Sequence, residues 1–141
     1  MSFKACINDC KTIILPKLSD KRGHLTAIEQ NDRIPFIIKR IFYNYGVEPM
    51  QSRGAHAHKT LHQFLIALNG AFNVVLDDGV DRTDVLLSAP WIGLHIPPGI
   101  WAEQNNFTAN SICLVFASES YDEADYVRNY NDFLSLRSEK E

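Results

Sequence analysis

Short runs of apolar and β-branched residues alternate with turn residues along most of this chain. Runs of this kind, recurring about every ten residues, are typical of strands in an antiparallel sandwich or barrel. They lie at residues 12–17, 24–29, 36–45, 63–68, 71–76, 80–87, 91–96 and 111–117. The pattern therefore predicts an all-β fold, followed by a short helix around residues 131–136.

Turn residues indicate how neighbouring runs connect. Asn69-Gly70 lies between the runs at 63–68 and 71–76, and this dipeptide favours a two-residue type I′ hairpin turn. We therefore expect these two strands to pair directly with each other. The tripeptide at residues 97–99, Pro-Pro-Gly, predicts a sharp corner, because proline lacks the N–H that a sheet requires and glycine relaxes the backbone.

Composition narrows the class of protein. The 141 residues predict one domain over 1–141, with a core at 10–134 and a tail at 135–141. A formal net charge of −3 gives no reason to expect nucleic acid as a partner. No apolar stretch is long enough to span a bilayer and the start has no signal-peptide pattern, so we expect no membrane association and a cytoplasmic location. The three cysteines fit reduced cytosolic thiols.

Two histidines in the stretch at residues 53–59, which we also expect to form a strand, are the main candidates for chemistry. His56 and His58 are two positions apart, so a regular strand places both side chains on one face and Ala57 on the other. Such a pair can bind a metal, transfer protons, or lie on the surface without a function. An imidazole titrates near neutral pH, which suits abstraction of a proton next to a carbonyl.

The spacing around this pair resembles the two motifs of the cupin superfamily, whose domains are double-stranded β-helix jelly-roll barrels. The positions of the usual glutamate ligand and of the third histidine ligand hold Gln63 and Ala102 here. Two histidines and a neutral amide are a poor donor set for Zn²⁺ or Fe²⁺. We therefore predict a cupin barrel with a short C-terminal helix and no metal.

An ordered set of longer stretches resembles a narrower family, the nucleotide-sugar 3,4-ketoisomerases. These WxcM-like proteins of the cupin superfamily isomerise 4-keto-6-deoxyhexoses linked to thymidine diphosphate (dTDP). The stretches lie at residues 22–29, 34–40, 53–59, 68–70, 76–79 and 121–130. The resemblance implies an isomerase that needs no cofactor and moves the ketone of dTDP-4-keto-6-deoxyglucose from C4 to C3. A base removes the C3 proton, an enediol(ate) forms, and a proton returns at C4.

The same resemblance implies roles for individual residues. His56 is the expected base, and His58 orients it or shares the proton relay. The expected substrate-binding residues are Arg40, Arg53, Arg22, Glu29, Gln63 and Phe42. The resemblance also implies a homodimer, in which the strand at residues 12–15 either exchanges with the partner or pairs within its own chain. The implied pathway is deoxysugar synthesis for a surface polysaccharide such as O-antigen, another glycan or a secondary metabolite.

Two departures from the family keep other functions open. The family often has tyrosine at position 42, and Phe42 has no hydroxyl that could relay a proton. Ala102 stands where the family often has histidine or arginine, and with Arg22 this leaves the configuration of the product at C4 open. The alternatives are a non-catalytic protein that binds a nucleotide sugar, a 3,5-epimerase-like cupin, and a metal-dependent cupin oxygenase.

Overall fold

Two facing five-stranded antiparallel sheets, a two-stranded hairpin and one helix make up the described part of the computed structural model, residues 4–138. The strands are β1 (Lys11–Ile14), β2 (Leu18–Asp20), β3 (Gly23–Leu25), β4 (Arg40–Tyr45), β5 (Arg53–His58), β6 (Gln63–Asn69), β7 (Phe72–Asp77), β8 (Arg82–Leu87), β9 (Ile92–Ile96), β10 (Trp101–Asn105), β11 (Ile112–Ala117) and β12 (Tyr126–Val127). The helix is α1 (Tyr130–Ser138). The all-β jelly-roll prediction, with its short C-terminal helix, is confirmed.

The main core fills the space between the two sheets. The first sheet has the strand order β1-β9-β6-β11-β4, and the second has the order β12-β5-β10-β7-β8. Inward-facing side chains from both sheets, among them Leu65, Phe72, Leu94 and Val115, are buried in one cluster. Because alternate residues of a strand face opposite sides, each sheet also has an outer face to cover.

Separate clusters cover the two outer faces. On the first sheet, Ile34 of the 26–39 segment packs against Phe64 and Phe116. On the second sheet, α1 places Phe133 in a buried cluster with Ala57 of β5. The helix therefore supports, from behind, the strand that carries the two histidines.

The turn at Asn69-Gly70 does not close a hairpin, so the predicted pairing of its two strands is wrong. β6 pairs with β9 and β11 in the first sheet, whereas β7 pairs with β8 and β10 in the second. Gly70, with a φ of +70°, carries the chain from one sheet to the other. A Cβ there would lie 2.5 Å from Thr108 Oγ1 and 2.9 Å from Ser111 Cβ, so the crossing requires glycine.

The extents of several predicted elements also differ from the structure. The run at 36–45 contributes a strand only from Arg40, because its first residues belong to the segment over the first sheet. The strand β10 was not predicted, although it follows the predicted corner directly. Residues 135–138, predicted as part of a tail, belong to α1, where Arg137 donates to the Gly99 carbonyl. The rest of that predicted tail, 139–141, lies outside the described residues.

The helix content gives no candidate for a membrane span. Within residues 4–138, no helix has both the length and the apolar character that a bilayer crossing requires.

Candidate active site

A bulge in β5 sets the positions of the site residues. The register with β10 slips next to the pair Ala102–His56, and Ala55 is the extra residue. Gly54 and Ala55 both have positive φ values, and a Cβ on Gly54 would lie 3.0 Å from the Ala102 carbonyl oxygen. A regular strand would place Arg53 and His56 on opposite faces, but after the bulge both line the same cavity.

The two histidines lie side by side on the inner face of β5. The ring centroids of His56 and His58 are 4.8 Å apart, with the ring planes nearly perpendicular at 86°. Ala57 between them faces the opposite way, into the cluster under α1. Tyr126 of β12 lies opposite His58 in the pairing of β12 with β5. The ring centroid of Tyr126 lies 4.9 Å from that of His56 and 4.4 Å from that of His58.

Two neighbouring cavities share Tyr126 as a lining residue. The cavity of about 370 Å³ is lined by His56, Gln63, Phe42, Arg53, Gln104 and Arg128, among others. The cavity of about 340 Å³ is lined by His58, Arg40, Lys39, Tyr121 and Asp125, among others. Volumes of this order suit small-molecule ligands, and the many polar side chains that line the two cavities suit a charged ligand.

Both ring nitrogens of His58 are engaged by the chain itself. Nδ1 lies 3.1 Å from Asp125 Oδ2, and Nε2 lies 2.9 Å from Gln63 Nε2. Burial lowers the pKa of His58, against the opposing effect of the Asp125 hydrogen bond. His58 is therefore a neutral, fixed ring and has no nitrogen free to take a proton from a ligand.

His56 is the histidine with freedom to act as a base. Burial, with smaller effects of His58 and Arg128, lowers the pKa of His56 to about 4. Its buried Nδ1 makes no hydrogen bond of normal geometry among residues 4–138, although the backbone of Gly54 lies close enough to raise the pKa slightly. At neutral pH the ring is therefore unprotonated, which is the form that a general base requires.

The lowered pKa of His56 predicts a loss of stability in acid. The unfolded chain binds a proton on this histidine below about pH 6.5, whereas the folded chain does so only near pH 4. The free energy of unfolding therefore falls as the pH drops through this window, by about 1 kcal/mol or more between pH 7 and pH 5. Urea unfolding at both pH values measures the change. The decrease in the free energy of unfolding between the two pH values is smaller in His56→Asn. An equal decrease in that variant would contradict the attribution of this acid sensitivity to His56.

Arginines supply positive charge to both cavities. The guanidinium of Arg40 lies 4.7 Å from the ring centroid of Phe42 and 5.6 Å from that of Tyr121, and its buried Nε has no hydrogen-bond partner among the described residues. An arginine with free donors beside a cavity is suited to a phosphate. Arg53 lines the other cavity together with Arg128.

Arg128 belongs to an ion-pair network at the mouth of the site. Its Nε lies 2.7 Å from Glu123 Oε2, and its guanidinium lies 4.1 Å from the ring centroid of Tyr126. The hydrogen bonds from Arg128 and Tyr121 lower the pKa of Glu123 to about 2. The network holds Tyr126 against the two histidines.

Two predicted site residues lie elsewhere in the single chain. Arg22 is exposed at the tip of the β2–β3 hairpin, where it forms an ion pair of 2.6 Å with Asp20. Glu29 is exposed in the segment after β3. Neither side chain lines the two cavities of the single chain, so their assignment as substrate-binding residues stays a prediction.

Sequence reasoning missed Asp125, Tyr126 and Arg128. They lie in the stretch at 121–130, which resembles the family but shows no periodic pattern that would give its residues a role. Their contacts with β5 depend on the two-residue strand β12, and so short a strand leaves no signal in the sequence.

The donor set at the site does not suit a metal. Among residues 4–138, no group of three histidine, cysteine, aspartate or glutamate side chains is arranged to hold an ion. Both nitrogens of His58 are already engaged, and Gln63 offers only a neutral amide.

Comparisons with known proteins show the family of the chain. The model of the family FdtA, described as WxcM-like, C-terminal, matches residues 8–138. A TDP-4-oxo-6-deoxy-alpha-D-glucose-3,4-oxoisomerase from Aneurinibacillus thermoaerophilus is 44% identical over 123 residues, which cover 87% of this chain and 88% of the relative.

Solved structures of the 3,4-ketoisomerase QdtA from Thermoanaerobacterium thermosaccharolyticum are also similar. The complex with TDP has a TM-score of 0.93 and 40% identity, covering 96% of this chain and 98% of that chain. A histidine-to-asparagine mutant in complex with TDP-4-keto-6-deoxyglucose has a TM-score of 0.91 and 40% identity, covering 93% of this chain and 95% of that chain.

Proposed function

The chain belongs to the FdtA family of WxcM-like proteins and is a sugar-nucleotide 3,4-ketoisomerase, and we propose that it converts dTDP-4-keto-6-deoxyglucose to a dTDP-3-keto-6-deoxyhexose. The observation that carries the proposal is the single unprotonated and unengaged histidine, His56, beside a polar cavity. A carbonyl at C4 acidifies the proton at C3, so a neutral imidazole is a sufficient base.

The reaction needs no electron acceptor. His56 takes the C3 proton, the C3–H bonding pair becomes the C3–C4 double bond, and the C4 carbonyl pair moves to oxygen to give an enediolate. The proton on His56 exchanges with water, a proton is then delivered to C4, the hydroxyl proton of O3 is lost, and the ketone forms at C3 while O4 gains a proton. The net change is one proton moved from C3 to C4 and one from O3 to O4.

Binding of the nucleotide is part of the same proposal. Arg40 carries a buried Nε without a partner, and Arg53 lies beside His56 because of the bulge in β5. A diphosphate carries its charge on oxygens that match guanidinium donors. Arg40 and Arg53 therefore bind the diphosphate and the charged intermediate, while Phe42 provides an apolar wall.

The position of the carbonyl distinguishes the candidate functions. The substrate is labelled with ¹³C at C4 and followed by ¹³C NMR with the purified, chelator-treated protein. A 3,4-ketoisomerase converts the labelled ketone carbon to a labelled alcohol carbon, whereas a 3,5-epimerase leaves it a ketone. If the label stays in place, proton exchange in D₂O separates the other two functions. Exchange at C3 and C5 indicates the epimerase, whereas no exchange with dTDP still bound favours the non-catalytic binder, for which Phe42 in the cavity is the supporting observation.

We also propose that the protein is a homodimer in the cytoplasm. Ile41, Tyr43 and Tyr45 lie on the outer face of β4, an edge strand of the first sheet, and each is more than half exposed. Monomeric proteins rarely leave so many neighbouring apolar side chains in water. The strand β1 pairs with β9 of its own chain here. The three free cysteines fit a reducing compartment.

Sedimentation equilibrium tests the dimer. We expect twice the chain mass of 16.0 kDa at micromolar concentration, and the monomer mass for Tyr43→Glu, which places a charge in the apolar patch. Leu86→Glu is the matched control, because Leu86 is an exposed residue on β8, the edge strand of the other sheet. A monomeric wild type, or a Tyr43→Glu variant that remains dimeric, would contradict this interface.

A further inference from the structure

Gln63 is a buried amide with unused hydrogen-bonding groups at the cavity that holds His56. The residue is 8% exposed, and its only side-chain hydrogen bond among the described residues is the contact of 2.9 Å with His58 Nε2. A glutamine amide has two N–H donors and one carbonyl acceptor. One N–H and the Oε1 atom therefore remain without a partner. Gln63 lines the cavity, so these groups are available to a ligand that enters it.

The orientation of this amide is determined from the other side of His58. Asp125 Oδ1 accepts from the backbone N–H and the hydroxyl of Thr60, at 2.7 and 2.8 Å, and Oδ2 accepts from the Leu61 N–H at 3.3 Å. A carboxylate held by these donors can only accept from His58, whose Nδ1 lies 3.1 Å from Oδ2. Nδ1 of His58 therefore carries the ring proton.

The tautomer of His58 then sets the direction of Gln63. Burial lowers the pKa of His58, so the ring is neutral and has only one N–H. With that proton on Nδ1, the Nε2 atom has a free electron pair and accepts from the Gln63 amide. The Nε2 end of Gln63 is thus held at His58, and Oε1 is directed away from it.

We propose that Gln63 binds the reacting hydroxyketone of the sugar with the two groups that His58 leaves free, and that Asp125 and His58 are positioning residues for this amide. The remaining N–H donates to the oxygen that becomes negative, and Oε1 accepts from the neighbouring hydroxyl. The inference rests on the proposed function and deepens it, since it assigns the recognition of the substrate's reacting carbons.

The chemistry explains why an amide occupies this position. A hydroxyketone offers one acceptor and one donor on adjacent carbons, and an amide offers the complementary pair. The match is best in the enediolate, where charge on O4 strengthens the hydrogen bond from the amide while O3 still carries its proton. A glutamate there would offer no donor and would repel the developing charge.

Substitution of Gln63 gives the first test. Gln63→Met keeps the size of the side chain and removes both polar groups, so we expect kcat to fall by about 100-fold or more, the range reported for loss of one oxyanion donor. We expect the Kd for dTDP to change by less than about threefold, because the proposal assigns the amide to the sugar and not to the nucleotide. Gln63→Glu has the same effect on kcat. A Gln63→Met variant with kcat within about threefold of wild type would overturn the proposal.

A double-mutant comparison tests the route through His58. In Asp125→Asn the new amide nitrogen faces the His58 ring, so the ring proton of His58 moves from Nδ1 to Nε2. The Gln63 amide then rotates so that its oxygen accepts from Nε2. We therefore expect kcat to fall while dTDP binding is kept. If Asp125 acts through Gln63, Asp125→Asn costs less than about threefold in a Gln63→Met background. If the loss of kcat in the double variant equals the product of the losses in the two single variants, Asp125 acts independently of Gln63. That result would overturn its positioning role.

The wild-type protein separates this inference from the function on which it rests. If wild type does not move the ¹³C label, the proposed function fails and the inference fails with it. If wild type moves the label and Gln63→Met moves it as fast, the proposed function stands and the inference alone is wrong.

Discussion

His56→Asn is expected to lose turnover of dTDP-4-keto-6-deoxyglucose by about 1000-fold or more while it still binds dTDP. Loss of a positioned general base typically costs about 100- to 10,000-fold, and here the neighbouring His58 cannot replace it, since both of its ring nitrogens are engaged. Asparagine keeps the polarity and much of the volume of the site. The rate is measured with substrate in excess, and dTDP binding is measured by calorimetry.

His62→Asn is the matched control for this variant. His62 lies on the outer face of the first sheet, where its ring stacks on that of His95 with centroids 5.2 Å apart, and it lines neither cavity. Turnover by this control stays within about threefold of wild type, as for substitutions away from a site. A His56→Asn variant with more than about a tenth of the wild-type rate would remove His56 from the role of base.

Phe64→Ala is expected to lower the free energy of unfolding by about 3–5 kcal/mol, the usual cost of removing a buried aromatic ring. The side chain is 0% exposed and stacks on Phe116, with ring centroids 6.3 Å apart. It also lies so close over Gly93 that a Cβ on that glycine would overlap the ring. Phe116 and Gly93, from the two neighbouring strands, thus close around the ring, and little can move to fill the cavity.

Val80→Ala is the control for stability. Val80 is 82% exposed in the turn after β7, and changes at such positions usually stay within about 0.5 kcal/mol. Urea unfolding at neutral pH measures both variants. A cost below about 1 kcal/mol for Phe64→Ala would mean that the outer cluster packs differently from the structure.

The local pattern predicted most strands but not their partners. Alternation of apolar residues depends on neighbours within one strand, so β6 to β9 and β11 were recognisable from the sequence. Pairing joins residues far apart in the chain, and nothing local shows whether the turn at Asn69-Gly70 closes a hairpin or crosses between sheets. The hairpin dipeptide fits both, because each requires a positive φ at Gly70.

In the candidate site, too, local patterns predicted neighbouring residues but not contacts between distant parts of the chain. The spacing of His56 and His58 was sufficient to place them together, because a period of two is a local property. The bulge at Ala55 changed the face of Arg53, and an irregularity of one residue leaves no signature in composition. Asp125 reaches His58 only through the fold, 67 positions along the chain, so no local pattern could assign it.

Proton NMR of dTDP-4-keto-6-deoxyglucose with the purified protein in D₂O tests the central claim most directly. The account predicts that the C3 proton signal disappears, that the product carries deuterium at C4, and that both changes are lost in His56→Asn. Exchange at C5, or no exchange at any carbon with dTDP still bound, would contradict a 3,4-ketoisomerase that uses His56 as its base.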